Sequence, residues 1–210
     1  QNFINPALGA RIILLTSFPS EMAKWEAPLS WKTQVVTTAS PLASMYNESK
    51  QFTTENLPSL TDMLLGNRAG CLGEVCAAAL ILGGLYLIIR KVISPVIPLT
   101  FIGTVGVFMA IKSGFDMTFV LYQLLSGGLL LGAIFMATDY TTSPISFKGK
   151  IIYGIGCGLI ASLIRCFGNL PEGVSFAIVL MNILVPHIDN LTRPLPFGAT
   201  KTKKSKKEAA

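Results

Sequence analysis

Hydroxyl side chains are concentrated in one short segment, Val36-Thr-Thr-Ala-Ser-Pro-Leu-Ala43. Thr37 and Thr38 stand together, and Ser40 follows after one alanine, Ala39. The spacing by itself predicts only a hydroxyl-rich turn before Pro41, in an exposed loop.

Two carboxylates stand at the ends of apolar stretches. Glu74 follows Gly70-Cys-Leu-Gly and lies about one turn into the first predicted span, while Asp139 precedes a run of hydroxyl residues. Ionisable groups inside a bilayer are costly and are therefore functional candidates. Two other interpretations stay open, because Glu74 could cap a helix N-terminus and Asp139 could end a helix before a polar turn. Carboxylate and hydroxyl oxygens at a membrane edge also suit a hard cation such as Na⁺.

Patterns typical of soluble enzymes are absent from the sequence. It contains no phosphate-binding P-loop, no HExxH pair, no CxxC motif and no catalytic-triad spacing. The single histidine, His187, is interpreted as structural or interfacial. Gly154-Ile-Gly-Cys-Gly158 lies within an apolar stretch without a preceding strand, which favours close helix packing over dinucleotide binding. The sequence therefore predicts no catalytic residue.

The four cysteines follow no common zinc or iron–sulfur spacing. Small packing residues are the favoured interpretation, and a disulfide or shared metal joining Cys71 and Cys166 stays open as the alternative. No metal site is predicted.

The composition of the chain predicts whether these residues lie in a soluble or a membrane protein. Of 210 residues, 51% are hydrophobic and only 13% are charged, and the mean hydropathy is +0.57. A soluble domain carries about 25% charged residues. The composition argues against a soluble enzyme, a disordered chain and a secreted disulfide scaffold, and it indicates an all-α integral membrane protein.

A bilayer core needs about 20 mostly apolar residues per helix. The sequence predicts five clear transmembrane helices, at Cys71–Ile89, Pro95–Ile111, Phe119–Ala137, Ile151–Phe167 and Gly173–Ile188.

Phe3–Phe18 is apolar but contains Arg11, so it predicts a partial span or a helix packed against further protein. The predicted partner of Arg11 is a phosphate or a carboxylate elsewhere in the complex. The predicted organisation is a partial helix over 1–18, an extracytoplasmic loop over 19–70, a five-helix domain over 71–188 and a basic tail over 189–210.

Orientation follows from the basic residues, which are enriched on the cytoplasmic side of membrane proteins. With the long loop outside, ten of the 17 basic residues fall inside, five of them in a lysine-rich tail from Lys201. That tail is expected to lie beside an anionic membrane surface. It lacks interleaved aromatic residues, which argues against a nucleic-acid partner.

Several short motifs occur in a fixed order along the chain. They are Asn5-Pro-Ala7, Phe18-Pro19, Ala39-Ser-Pro-Leu42, Leu65-Gly-Asn67, Gly70-Cys-Leu-Gly-Glu74, Met136-Ala-Thr-Asp139, Glu172-Gly-Val-Ser-Phe-Ala177, Met181-Asn182 and Thr192-Arg-Pro194. Together they resemble the RnfD family of the Rnf electron transport complex, which is related to the NqrB component of the Na⁺-translocating NADH:quinone reductase.

The resemblance implies about ten spans, a urea-transporter-like fold and FMN bound through its phosphate to a loop hydroxyl on the outer face. The family motif is Ser/Thr/Asp-Gly-Ala-Thr/Ser-x-x-Ala/Thr. Thr37 takes its first position, Thr38 stands where glycine is usual, Ala39 matches, and Ser40 takes the acceptor position. It also implies that about a third of the protein, with about four spans, precedes Gln1.

A subunit of this kind is an electron relay coupled to Na⁺ or H⁺ transport and is not catalytic alone. The implied partners are the other membrane and peripheral subunits of the complex and a flavin transferase, and a second, non-covalent flavin is an open expectation. The implied location is the inner or plasma membrane, with the C-terminus cytoplasmic. Two alternatives are a non-redox channel or transporter with the same fold and a purely structural membrane subunit.

Overall fold

The computed structural model describes residues 2–22, 24–26, 37–38, 42, 57–71, 73–168 and 173–193, and it is mainly helical. The elements along the chain are α1 (Pro6–Ser17), α2 (Pro19–Met22), β1 (Trp25–Glu26), β2 (Thr37–Thr38), α3 (Leu60–Leu65), α4 (Ala77–Ile89), α5 (Val96–Ser113), α6 (Met117–Leu125), α7 (Leu129–Leu131), the π-helix π1 (Gly132–Met136), α8 (Phe147–Phe167) and α9 (Val174–Thr192). The two strands form one short antiparallel pair.

Polar side chains mark where several helices begin. Asn5 accepts from the amide of Ala7 at 3.0 Å to begin α1. Asp116 accepts from the amide of Thr118 at 2.9 Å to begin α6, and Ser146 accepts from the amide of Gly149 at 2.9 Å to begin α8. These caps satisfy amides that have no partner within the helix, so short local sequence signals set the register of the apolar helices.

The central core lies between α5, α8 and α9, and α1 closes one side of it. Phe101, Tyr153 and Ile178 are fully buried there. A Cβ at Gly158 would lie 2.6 Å from Thr104 Cβ on α5, and one at Gly154 would overlap the Thr100 side chain. Close helix packing is therefore confirmed as the role of these glycines, because small residues let membrane helices approach.

Three helices are long and apolar enough to cross a membrane, or four if one bent pair forms a single span. The predicted spans from Pro95, Ile151 and Gly173 correspond to α5, α8 and α9 and are confirmed as such helices. On α8 the exposed side chains of Ile152, Ile155, Leu159 and Leu163 form one stripe. Surface of this kind suits contact with lipid or with other membrane subunits.

The first predicted span, Cys71–Ile89, is wrong as one continuous helix. Gly73 and Glu74 form a turn, and α4 begins only at Ala77 and has 13 residues. Its length is about 20 Å at 1.5 Å per residue, against a bilayer core of about 30 Å. Gly73 weakens helical propensity there, and the carbonyls of Glu74 and Val75 bind the side chain of Arg68 instead of helical amides.

The third predicted span, Phe119–Ala137, is also not a single straight helix. α6 ends at Leu125, and the following segment, Leu129–Met136, is bent from it by 64°. Gly127 adopts a positive φ of 61° between them, a conformation that glycine adopts without steric cost. The sequence shows Gly127-Gly128 at this point, which is the signal for the break.

Candidate functional site

Two buried arginines bind the carbonyl groups exposed where α6 ends. The Arg165 guanidinium donates to the main-chain carbonyls of Gln123 at 2.7 Å and Ser126 at 3.2 Å. Arg68 donates to the Leu125 carbonyl at 2.8 Å. The last carbonyls of a helix have no intrahelical donor. These two side chains, from different parts of the chain, supply donors to the carbonyls at the end of α6.

Arg68 also fixes the turn before α4. Its Nη2 donates to the Glu74 carbonyl at 2.7 Å and its Nε to the Val75 carbonyl at 3.0 Å. Burial lowers the pKa of Arg68 from its ordinary value, and the nearby Glu74 carboxylate opposes that shift. One side chain thus joins the start of α4 to the end of α6.

Glu74 forms an ion pair with Arg11 of α1. Arg11 Nη2 lies 3.9 Å from Glu74 Oε2, and Glu74 is only 5% exposed. The expected carboxylate partner of Arg11 therefore lies within this same chain. The helix-cap interpretation of Glu74 is wrong, because α4 begins at Ala77, beyond it. A carboxylate paired inside a predicted membrane region keeps its place as a functional candidate.

These charged side chains gather around the break between α6 and α7. A Cβ at Gly128 would lie 2.8 Å from Glu74 Oε2, so the carboxylate rests directly on the glycine backbone. We call Arg11, Arg68, Glu74 and Arg165 the break cluster. It holds three guanidinium groups and one carboxylate, which gives it a positive formal charge.

The long loop is anchored at the same place. Leu42 is 4% exposed and packs with Met63 and Tyr122. A Cβ at Gly127 would lie 3.1 Å from Leu42 Cδ2 and 3.3 Å from Arg165 Nη2. Leu42, two residues beyond Ser40 in the sequence, therefore lies at Gly127, where Arg165 of the break cluster also lies.

The predicted attachment motif is only partly covered by the described residues. Thr37 and Thr38 form β2 and pair with Glu26 and Trp25. Ala39 and Ser40 lie outside the described residues.

Asp139 organises the turn after π1. Its Oδ2 accepts from the hydroxyls of Thr141 at 2.9 Å and Thr142 at 3.0 Å. The carboxylate also lines an open groove of about 460 Å³, together with Asn5 and Tyr140. Asp139 and Glu74 thus lie at opposite ends of Leu129–Met136, the second half of the broken helix.

Comparison with known proteins identifies the family. Residues 1–198 match the family described as NQR2, RnfD, RnfE. The chain belongs to this family. It is 47% identical over 210 residues to the D-type component of the Na⁺-translocating ferredoxin:NAD⁺ oxidoreductase complex of Acetobacterium woodii, a match that covers 99% of this chain and 63% of that protein.

Two further relatives of this RnfD-type chain carry related names. The D-type component of the proton-translocating ferredoxin:NAD⁺ oxidoreductase complex of Clostridium ljungdahlii is 40% identical over 205 residues, which covers 94% of this chain and 62% of that protein. The D-type component of the ion-translocating oxidoreductase complex of Stutzerimonas stutzeri is 38% identical over 226 residues, with 94% and 64% covered. The chain thus spans a little under two thirds of the length of these relatives.

Among the residues that the structure describes, no three or more histidine, cysteine, aspartate or glutamate side chains are grouped so that they could hold a metal ion. All four cysteines are free, so Cys71 and Cys166 are not joined. Cys157 is fully buried in the core, which agrees with a packing role. His187 lies exposed on α9.

Sequence reasoning missed Arg165 and Arg68 as site residues. The predicted topology places Arg68 on the long outer loop and Arg165 at a short outer turn. Arg165, at 7% exposed, is in fact buried. The available signal was its position inside the apolar run of α8, where an arginine needs a partner.

Proposed function

We propose that this chain is part of the RnfD component of a membrane complex that transfers electrons between ferredoxin and NAD⁺ and couples this to Na⁺ or H⁺ transport. Membership of the NQR2, RnfD, RnfE family and the names of the relatives support this proposal. The protein would carry FMN esterified to Ser40 and would share the urea-transporter-like fold of the resemblance. Its partners would be the other subunits and a flavin transferase, with the loop outside and the C-terminus inside.

The observation that carries the proposal is the position of Leu42. Leu42, two residues beyond Ser40 in the sequence, lies near Gly127, as does Arg165 of the positively charged break cluster. The described residues fit a phosphate-bearing group, because nearby cationic side chains stabilise an anion in a site of low dielectric. Bound FMN supplies the redox chemistry. Arg165 and Arg68 would orient the anchored loop and provide the local positive potential.

The paired carboxylate of Glu74 and the groove at Asp139 support the coupling part of the proposal. They lie at the two ends of a bent, partly π-helical segment, and π-bulges are frequent at functional sites. Glu74 and Asp139 would serve the ion pathway, one near each membrane surface.

The attachment is tested by in-gel flavin fluorescence. The full-length protein is co-expressed with its flavin transferase, denatured and illuminated, with Ser40→Ala and the matched control Thr38→Ala alongside. We expect a fluorescent band that is lost only in Ser40→Ala. Loss only in Thr38→Ala would move the attachment site to Thr38.

A non-redox transporter is the second candidate, and the open groove of about 460 Å³ at Asp139 favours it. Absence of covalent flavin from every form, with the transferase active on another substrate, would support this candidate instead.

A further inference from the structure

A small cavity lies between α9 and the turn that follows π1. Its volume is about 130 Å³, and Thr141, Thr142, Asn182 and Pro186 are among the residues that line it. At about 30 Å³ per water molecule, this space suits a small ion with part of its hydration shell. Because α9 is long and apolar enough to cross a membrane and Pro186 lies in its C-terminal half, the cavity lies towards one end of the helix bundle.

Asn182 brings an unsatisfied polar group to this cavity. The residue is 3% exposed, and its Oδ1 accepts from the Tyr153 hydroxyl at 2.6 Å. Its Nδ2 is buried and has no hydrogen-bond partner among the described residues. A buried polar group without a partner costs about 1–3 kcal/mol. An N–H donor is satisfied only by an acceptor, so a turn of the amide that brings Nδ2 to the Tyr153 oxygen and Oδ1 to the cavity would remove this cost.

Pro186 removes the helical hydrogen bond of the Asn182 main-chain carbonyl. A proline has no N–H, so it cannot supply the intrahelical hydrogen bond to the carbonyl four residues earlier, which here is the carbonyl of Asn182. Pro186 therefore leaves a main-chain oxygen without its ordinary donor beside the cavity. Main-chain carbonyls without a helical donor coordinate Na⁺ where the helices of transporters are interrupted.

The threonines add two further oxygens. The hydroxyl hydrogens of Thr141 and Thr142 point to Asp139, at 2.9 and 3.0 Å. A hydroxyl has one hydrogen and two lone pairs, so both oxygens keep lone pairs for another partner. Asp139 supplies a negative charge one hydrogen bond behind them.

We propose that this cavity is a Na⁺ site formed by the main-chain and side-chain oxygens of Asn182 and the hydroxyl oxygens of Thr141 and Thr142. Neutral oxygens backed by one carboxylate suit a hard monovalent cation. The side-chain amide of Asn182 turns over on binding, so that Nδ2 donates to the Tyr153 hydroxyl. The proposal rests on the proposed function, whose ion pathway it locates.

The first test restores the main-chain N–H that Pro186 lacks. Pro186→Ala gives the Asn182 carbonyl its helical hydrogen bond and leaves the side chains of the site in place. The purified full complex is measured by equilibrium ²²Na⁺ binding without turnover, and by the Na⁺ concentration that gives half-maximal ferredoxin-driven NAD⁺ reduction. We expect both constants to rise about tenfold, the lower range for loss of one supporting interaction at a metal site. Pro98→Ala is the matched control, because Pro98 lies in the first turn of α5, where the amide has no intrahelical acceptor.

A second pair of variants tests the hydroxyl oxygens. Thr142→Val removes one proposed ligand without changing the side-chain shape, and we expect the same weakening of Na⁺ binding. Thr138→Val is its control, since the Thr138 hydroxyl donates to the Ile134 carbonyl of its own helix at 2.7 Å and Thr138 does not line this cavity.

Unchanged ²²Na⁺ binding in both Pro186→Ala and Thr142→Val would overturn the site. Ferredoxin-driven NAD⁺ reduction that depends on pH and not on the Na⁺ concentration would also overturn the site. The cavity would then hold water. Failure of the proposed function is seen separately, as absence of covalent flavin or of electron transfer in the unaltered complex, because ²²Na⁺ binding needs neither.

Discussion

At the residue scale, the buried arginines set the shape of the break. Arg165 follows α6 in the sequence and lies on α8, whereas Arg68 precedes α6 and lies in the loop before α4. Both side chains bind the end of α6. Hydrogen bonds to charged donors contribute about 1.5–3 kcal/mol each. The bend of 64° between α6 and Leu129–Met136 is therefore stabilised by side chains that the local sequence of α6 does not contain.

Replacing Arg165 by methionine is expected to destabilise the protein by about 3 kcal/mol, because buried carbonyls at the end of α6 lose their donors. The measurement is thermal unfolding of the full-length protein in detergent, followed by size-exclusion chromatography. Arg90→Met, at an exposed arginine after α4, is the matched control. Equal unfolding temperatures for the two variants would show that Arg165 does not stabilise the break.

The residue scale also shows what the sequence alone could not provide. Glu74 and Asp139 were recognisable as costly carboxylates in apolar surroundings. The partner of Glu74 was not, because Arg11 lies 63 positions earlier and meets it only after α1 packs beside Gly128. Pairing between distant residues depends on packing, and single-sequence patterns carry no direct record of it.

At the element scale, α5, α8 and α9 follow the hydropathy pattern closely, since each is one uninterrupted apolar run with a clear start. The pattern failed where glycine and side-chain hydrogen bonds compete with the helix. The predicted span that begins at Cys71 is apolar enough to be interpreted as a helix, yet the carbonyls of Glu74 and Val75 bind Arg68. Hydropathy measures the preference for the bilayer and does not record this competition.

The packing of α5 against α8 gives a prediction at this scale. Gly154→Ala is expected to destabilise the protein by about 1–3 kcal/mol, because the added Cβ would overlap the Thr100 side chain and lie 3.2 Å from the Ile97 carbonyl oxygen. Gly103→Ala in α5 is the control, since a Cβ there meets nothing within 4 Å. Chemical unfolding of the two variants measures the difference, and a Gly154→Ala protein as stable as Gly103→Ala would contradict this packing.

At the scale of the whole molecule, the broken helix joins two sites. The break cluster, with the anchored Leu42, lies at one end of Leu129–Met136, and Asp139 with the proposed Na⁺ cavity lies at the other. A shift of this segment would move the residues at both of its ends. Moving one charge across 100 mV requires about 2.3 kcal/mol, which the redox reaction of the proposed complex would have to supply for each ion.

Glu74→Gln and Asp139→Asn are expected to lower the number of ions moved per electron in reconstituted vesicles. Glu74→Gln removes the charge that faces Arg11, and Asp139→Asn weakens the hydrogen bonds that order Thr141 and Thr142. Electron transfer and ion uptake are recorded together, so that a loss of coupling is separated from a loss of turnover. If both variants keep the original ratio, the two carboxylates do not belong to the ion pathway.

The most direct test of the central claim, covalent FMN at Ser40, is peptide mass spectrometry of the purified complex. Trypsin releases residues 33–50 as one peptide, because Lys32 and Lys50 flank it without an internal basic residue. We expect this peptide to carry the mass of FMN less one water, with fragment ions that place the addition on Ser40. An unmodified peptide from a complex that transfers electrons, or an addition on Thr37 or Thr38, would contradict the account.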